Sequence, residues 1–109
     1  MAIQISRKRR ASLKGKQYKL RLYTSGSTPR SVRAIRNLKR ICEARLHGRY
    51  QLLVIDIYQQ PGLAQDNQIV ATPTLIKEEP LPRRILIGDF SRDDRVLAGL
   101  SLAPLPAAS

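Results

Sequence analysis

The side chains best suited to chemistry in this chain are cations. Arg33, Arg36 and Arg40 recur at i, i+3 and i+7, with Lys39 beside them. On a helix that spacing lines guanidinium groups along one side, and such a row recognises carboxylates or phosphates. The same spacing also suits a plain solvated face. Nucleophiles and metal ligands are sparse. Cys42 is the single cysteine, which excludes an intramolecular disulfide, a CxxC pair and a cysteine-rich zinc site. His47 is the single histidine, which excludes most histidine-based metal sites. No glycine-rich phosphate loop, nucleophile elbow or HExxH is present. Asp56 interrupts an apolar run, as a functional carboxylate or as one hydrogen-bonded at a strand's end. The expectation is a protein that binds rather than catalyses, with no cofactor and no metal.

Something must hold that cationic row in place. The chain has 109 residues, enough for one domain with a modest core. Twenty Lys and Arg against eight Asp and Glu make the net charge +12. The charge is lopsided. Residues 1–49 carry 15 basic and 1 acidic side chain, for +14, while residues 50–109 carry 5 basic and 7 acidic, for −2. A front half this basic points to an acidic partner. No apolar run is long enough to span a membrane, and no apolar segment of the signal-peptide kind follows the basic start, so a reducing, cytoplasmic setting is expected.

Residues 1–17 read as a flexible basic arm, with Arg7, Lys8, Arg9, Arg10, Lys14 and Lys16 repelling one another. A domain over 18–102 follows, then a short Pro/Ala tail over 103–109. Tyr18–Tyr23 alternates, with Leu20 and Leu22 on the buried side of a strand. Thr28 as N-cap and Pro29 at the first position start a helix running to Leu46 or His47, closed by Gly48. Its apolar side holds Ile35, Leu38, Ile41, Cys42 and Leu46. Tyr50–Ile57 is apolar enough for a central strand. A short helix over 63–68, strands over 71–76 and 84–87, and a last helix capped by Ser91 complete the order β-α-β-α-β-β-α in one α/β domain.

That order is thioredoxin-like, and Ile55-Asp56-Ile57, Pro61, Leu63-Ala64 and Pro73-Thr74-Leu75 resemble the middle of thioredoxins. The Ser25-Gly26-Ser27-Thr28-Pro29-Arg30 stretch stands where the two redox cysteines of that fold belong, so dithiol chemistry is not expected. A narrower match is carried by YKLRLYTSGSTPRSVRAIRNLKRI, LLVIDI, QQPGLA, IVATPTL and IGDFSRDDRVLAGL. Over Tyr18 to Leu102 these strings resemble the KaiB family of circadian clock proteins, with the sensor domain of the clock kinase SasA as a relative. The chain departs from the family pattern at Pro80-Leu81-Pro82 and Arg83, in its neutral tail and in its basic arm, which marks a divergent member.

The resemblance implies a non-enzymatic clock component. It would bind a KaiC-type ATPase, modulate its phosphorylation or ATPase cycle, help sequester a KaiA-like protein, and self-associate as a dimer or tetramer. It also implies two folds: a ground state ordered βαββααβ, and a thioredoxin-like monomer that binds KaiC. Arg33 and Arg84 match motif arginines of the family. Arg36, Lys39 and Arg40 extend that site by the helix-face argument. Thr72, Pro73, Gly88 and Asp89 are the expected switch positions. Two other readings stand beside this one. A nucleic-acid-binding protein would use the basic half with Tyr18, Tyr23 and Tyr50. A thioredoxin-like adaptor would have no link to clocks.

Overall fold

The computed structural model of the chain describes residues 2–6 and 17–102. From Tyr18 onward it shows the expected order. Strand β2 (Tyr18–Thr24) leads to helix α1 (Pro29–Arg45), strand β3 (Tyr50–Asp56) and helix α2 (Pro61–Asp66). Strands β4 (Thr74–Glu79) and β5 (Arg84–Ile87) and helix α3 (Asp93–Gly99) follow. An additional strand, β1 (Ala2–Ser6), precedes them. The five strands lie in the order β1-β3-β2-β4-β5. Only β2 and β3 are parallel, joined across α1 as a crossover requires.

The helix begins where the sequence says it must. Thr28 Oγ1 accepts from the Ser31 amide at 3.3 Å, and Pro29 fills the first turn. The far end comes one residue earlier than expected. Leu46 is the C-cap, with its N–H on the Cys42 carbonyl, and Gly48 takes its left-handed angle (φ +76°) in the turn beyond. Ala34, Leu38, Ile41, Cys42 and Leu46 are buried on α1, with Ile35 at the margin. They meet Leu20, Leu22, Leu52 and Leu75 from the sheet and Val96, Leu97 and Leu100 from α3. A smaller cluster on the opposite face joins Tyr23, Ile55 and Ile76 to Ala64 of α2. At ~1.5–3 kcal/mol for each large apolar side chain, the first cluster is the main source of stability.

Besides the end of α1, four expectations need correction, the first being α2, which spans Pro61–Asp66 rather than 63–68. Ala2–Ser6, placed in the flexible arm, pairs antiparallel with β3 from Ala2 opposite Ile55 to Ser6 opposite Gln51. The edge of β3 offers unpaired backbone groups there, and a short strand satisfies them. Residues 7–16 and the 103–109 tail lie outside the described residues. Next, β4 begins at Thr74 rather than Ala71, after the cis Thr72–Pro73 bond. Finally, Ser91 is not the cap of α3. Arg92 is, without a side-chain hydrogen bond, and Ser91 is turned back onto the Asp89 carboxylate, to which it donates its amide at 3.1 Å and a side-chain hydrogen bond.

Candidate interaction surface

The outer face of α1 and the segment that leads into α3 form one surface. The start of α1 is stitched to the end of β2: the Ser25 amide donates to the buried Ser31 hydroxyl at 3.0 Å. Ser25 in turn shares a short hydroxyl contact with Thr72. One residue on, the Pro73 carbonyl accepts the Gly88 amide at 3.1 Å. The expected switch positions Thr72, Pro73 and Gly88 are therefore directly connected to one another and to the start of α1.

Asp89 extends that connection to the arginine row. Its Oδ2 accepts from Arg33 Nε at 3.2 Å, and its backbone carbonyl accepts from Asn37 Nδ2 at 2.9 Å. Hydrogen bonds from Ser91 and then Arg33 hold the Asp89 carboxyl below the ordinary carboxylate range. The backbone turns left-handed on both sides of this residue, at Gly88 (φ +138°) and Phe90 (φ +61°). A left-handed non-glycine residue costs ~1–2 kcal/mol, which the burial of the Phe90 ring offsets. One turn further along α1, Arg40 grips both oxygens of Asp93 at 3.0 and 2.8 Å. That fork lowers the Asp93 pKa and raises the Arg40 pKa.

The five expected binding residues are thus not equivalent. Arg33 and Arg40 are tied to the α3 segment. Arg36 and Lys39 are exposed and make no ion pair among the described residues. Arg84 is also exposed, but it opens β5 whereas Gly88 follows it, roughly 13 Å along a strand of this rise. No hydrogen bond or ion pair among the described residues joins Arg84 to α1.

Sequence reasoning missed Arg30, Arg92 and Arg95. Together with Gly88, Phe90 and Ser91 they line a cleft of about 260 Å³ at one end of the surface. Arg92 pairs with Asp94 at 3.2 Å. Only the tertiary fold brings Arg30 to this segment, so no local pattern announces it. With these residues the surface presents seven cations (Arg30, Arg33, Arg36, Lys39, Arg40, Arg92 and Arg95) against Asp89, Asp93 and Asp94.

The other groups that the sequence singles out have structural surroundings. Cys42 is fully buried, and burial pushes its thiol up to about 12, far from a reactive thiolate. Asp56 accepts the Tyr58 amide at 2.8 Å and the Gly26 amide at 3.3 Å, holding the turn after β3 and the loop before α1. His47 lies 3.4 Å from Glu43, whose other oxygen accepts the Tyr50 hydroxyl. Tyr18, Tyr23 and Tyr50 are buried and offer no stacking platform to a nucleic acid. Among the described residues, no group of three His, Cys, Asp or Glu is placed to hold a metal ion, and no helix is long and apolar enough to cross a membrane.

A model of the KaiB domain matches residues 21–102. The circadian clock oscillator protein KaiB of Synechococcus elongatus is 52% identical over 87 residues, covering 80% of this chain and 85% of that protein. The protein of the same description from Nostoc punctiforme is also 52% identical over 87 residues, covering 80% and 84%. Among solved structures, the N-terminal domain of Synechococcus elongatus SasA superposes with a TM-score of 0.61 at 27% identity, over 80% of this chain and 86% of that one. The Drosophila thioredoxin Deadhead superposes at 0.63 with 13% identity, over 78% and 82%, which shows the thioredoxin-like fold alone.

Proposed function

This chain belongs to the KaiB family of circadian clock oscillator proteins, and on that premise we propose that it docks the cationic face of α1 on an acidic surface of a KaiC-type ATPase. It acts there as a non-enzymatic component that modulates the partner's phosphorylation or ATPase cycle. A KaiA-like protein and further copies of the chain are its other partners. The observation that carries this reading is the surface itself: Arg36 and Lys39 stand unpaired among the described residues, between arginines that are already oriented by Asp89 and Asp93. A preoriented guanidinium loses less side-chain freedom on binding than a free one, and an exposed cation beside it attracts an acidic partner over a Debye length.

Fold switching enters through the same contacts. Asp89 bonds Arg33, and the Gly88 amide bonds Pro73, so the segment that positions the docking face is also the one that must let go if the second half refolds. Two packings of one sequence coexist only when they differ by a few kcal/mol, and contacts of this exposed kind are within that range. Retention of the chain on an immobilised KaiC-type ATPase, beside a nonspecific DNA column at equal ionic strength, tests the proposal. Selective retention on the ATPase supports it. Equal retention on DNA, or on DNA alone, favours the nucleic-acid reading, and retention on neither favours an adaptor of another system.

A further inference from the structure

The family match begins at residue 21, so β1 lies outside it. Among the described residues, this strand alone pairs with the outer edge of β3. From Tyr18 onward the sheet would end at β3, with a row of backbone amides and carbonyls facing away from β2. An exposed edge of seven residues is a template for pairing with another extended segment. Here Ala2–Ser6 fills it, one residue opposite one, without a register break.

The chain path makes this an unusual cover. Ser6 lies opposite Gln51 on one side of β3, and Tyr18 lies opposite Tyr50 on the other. Residues 7–17 therefore need to bridge only two strand spacings, roughly 10 Å. Eleven residues can reach roughly 36 Å. The connection is long enough for β1 to leave the edge without disturbing β2.

We infer that the outer edge of β3 is a strand-acceptor site for an antiparallel extended segment, closed by the chain's own β1 and open to the β1 of a second copy when its own is released. The incoming segment must match the pattern of Ala2–Ser6, with Ile3 and Ile5 alternating with Ala2, Gln4 and Ser6. The tether decides which copy wins. A tether of eleven residues holds its strand at an effective concentration in the millimolar range. At micromolar protein the closed form therefore prevails by roughly 10²–10³-fold over exchange with a second copy. The strand keeps the edge from pairing between molecules while leaving it available once β1 is pulled away.

Hydrogen exchange on the full-length protein tests this. Alternate β3 amides face β2 and β1. Those facing β1 should be protected, yet exchange at least ~10-fold faster than those facing β2, because release of β1 is a local opening. One common rate along β3, or no protection of the β1-facing set, would overturn the inference. A full-length Gln4→Pro/Ile5→Pro variant gives the second arm. Of two consecutive strand residues one amide points at β3, so the pair removes a ladder bond whichever it is. In this variant the β1-facing amides should lose protection and regain it on addition of millimolar hexapeptide Met-Ala-Ile-Gln-Ile-Ser, while the wild type at the same peptide concentration changes little. Protection that the peptide fails to restore would contradict an acceptor site.

Discussion

Reversing Arg36 and Lys39 together is the cleanest perturbation of the docking face, because neither has an ion pair to lose among the described residues. Arg33→Glu would instead press a carboxylate against Asp89 and confound binding with folding. The double variant Arg36→Glu/Lys39→Glu changes the surface from seven cations and three acids to five of each, from +4 to neutral. A unit charge ~4 Å from an acidic partner group is worth ~1 kcal/mol in water. Reversal loses that attraction and adds the matching repulsion, ~2 kcal/mol per site before screening. With a Debye length of ~8 Å at physiological salt, roughly half survives, giving ~2 kcal/mol for the pair. That is about a 30-fold rise in Kd. Titration against the KaiC-type ATPase at two ionic strengths reads it. The wild type should weaken between ~0.1 and ~0.3 M salt, and the variant should respond less. Its thermal midpoint should stay within the small range expected for exposed sites. An unchanged Kd in the variant would refute the argument, and so would a salt-independent wild type.

Three other outcomes follow from the same geometry. Asp89 and Asp93 have carboxyl pKa values held below the unfolded value, so their ion pairs stabilise the fold above about pH 4 and lose that effect as pH falls through the depressed values; the stability gap between wild type and Asp93→Asn, read by urea denaturation, should close on acidification, and a gap that widens would be contrary. The Cys42 thiol, buried and pushed up to about 12, should give no insulin reduction above the dithiothreitol blank, and a rate abolished by Cys42→Ser would show otherwise. Gly88→Ala meets no atom within 4 Å but forces a side chain onto φ +138°, so it should cost the thioredoxin-like fold more than ~1 kcal/mol; two-dimensional NMR should show that fold losing population, and unchanged spectra with unchanged stability would remove Gly88 from the switch.

Local signals carried most of the fold. Thr28-Pro29 marks the start of α1 because capping and a fixed φ act within four residues, and Leu20, Leu22 and the 50–56 run declare buried strands by composition. The β1 strand was hidden because the Ile3–Ile5 alternation is only five residues long and abuts Arg7-Lys8-Arg9-Arg10, whose repulsion argues for disorder. Ser91 has the right chemistry for a cap, but its side chain is hydrogen-bonded to the Asp89 carboxylate two residues earlier. The cationic row was legible from helical spacing alone. Its division into paired and unpaired members was not, since Arg33 and Asp89 are 56 residues apart and Arg40 and Asp93 are 53. Such pairs exist only once α3 has packed beside α1.

The central claim, that the outer face of α1 is the docking surface for a KaiC-type ATPase, is tested most directly by cross-saturation NMR on isotope-labelled protein bound to that partner. Signal loss should centre on the exposed residues Arg33, Arg36, Lys39 and Arg40 and extend to Asp89 and Ser91. Loss confined to the opposite face, at Tyr58 and along Pro61–Asp66 of α2, with the α1 signals intact, would contradict it.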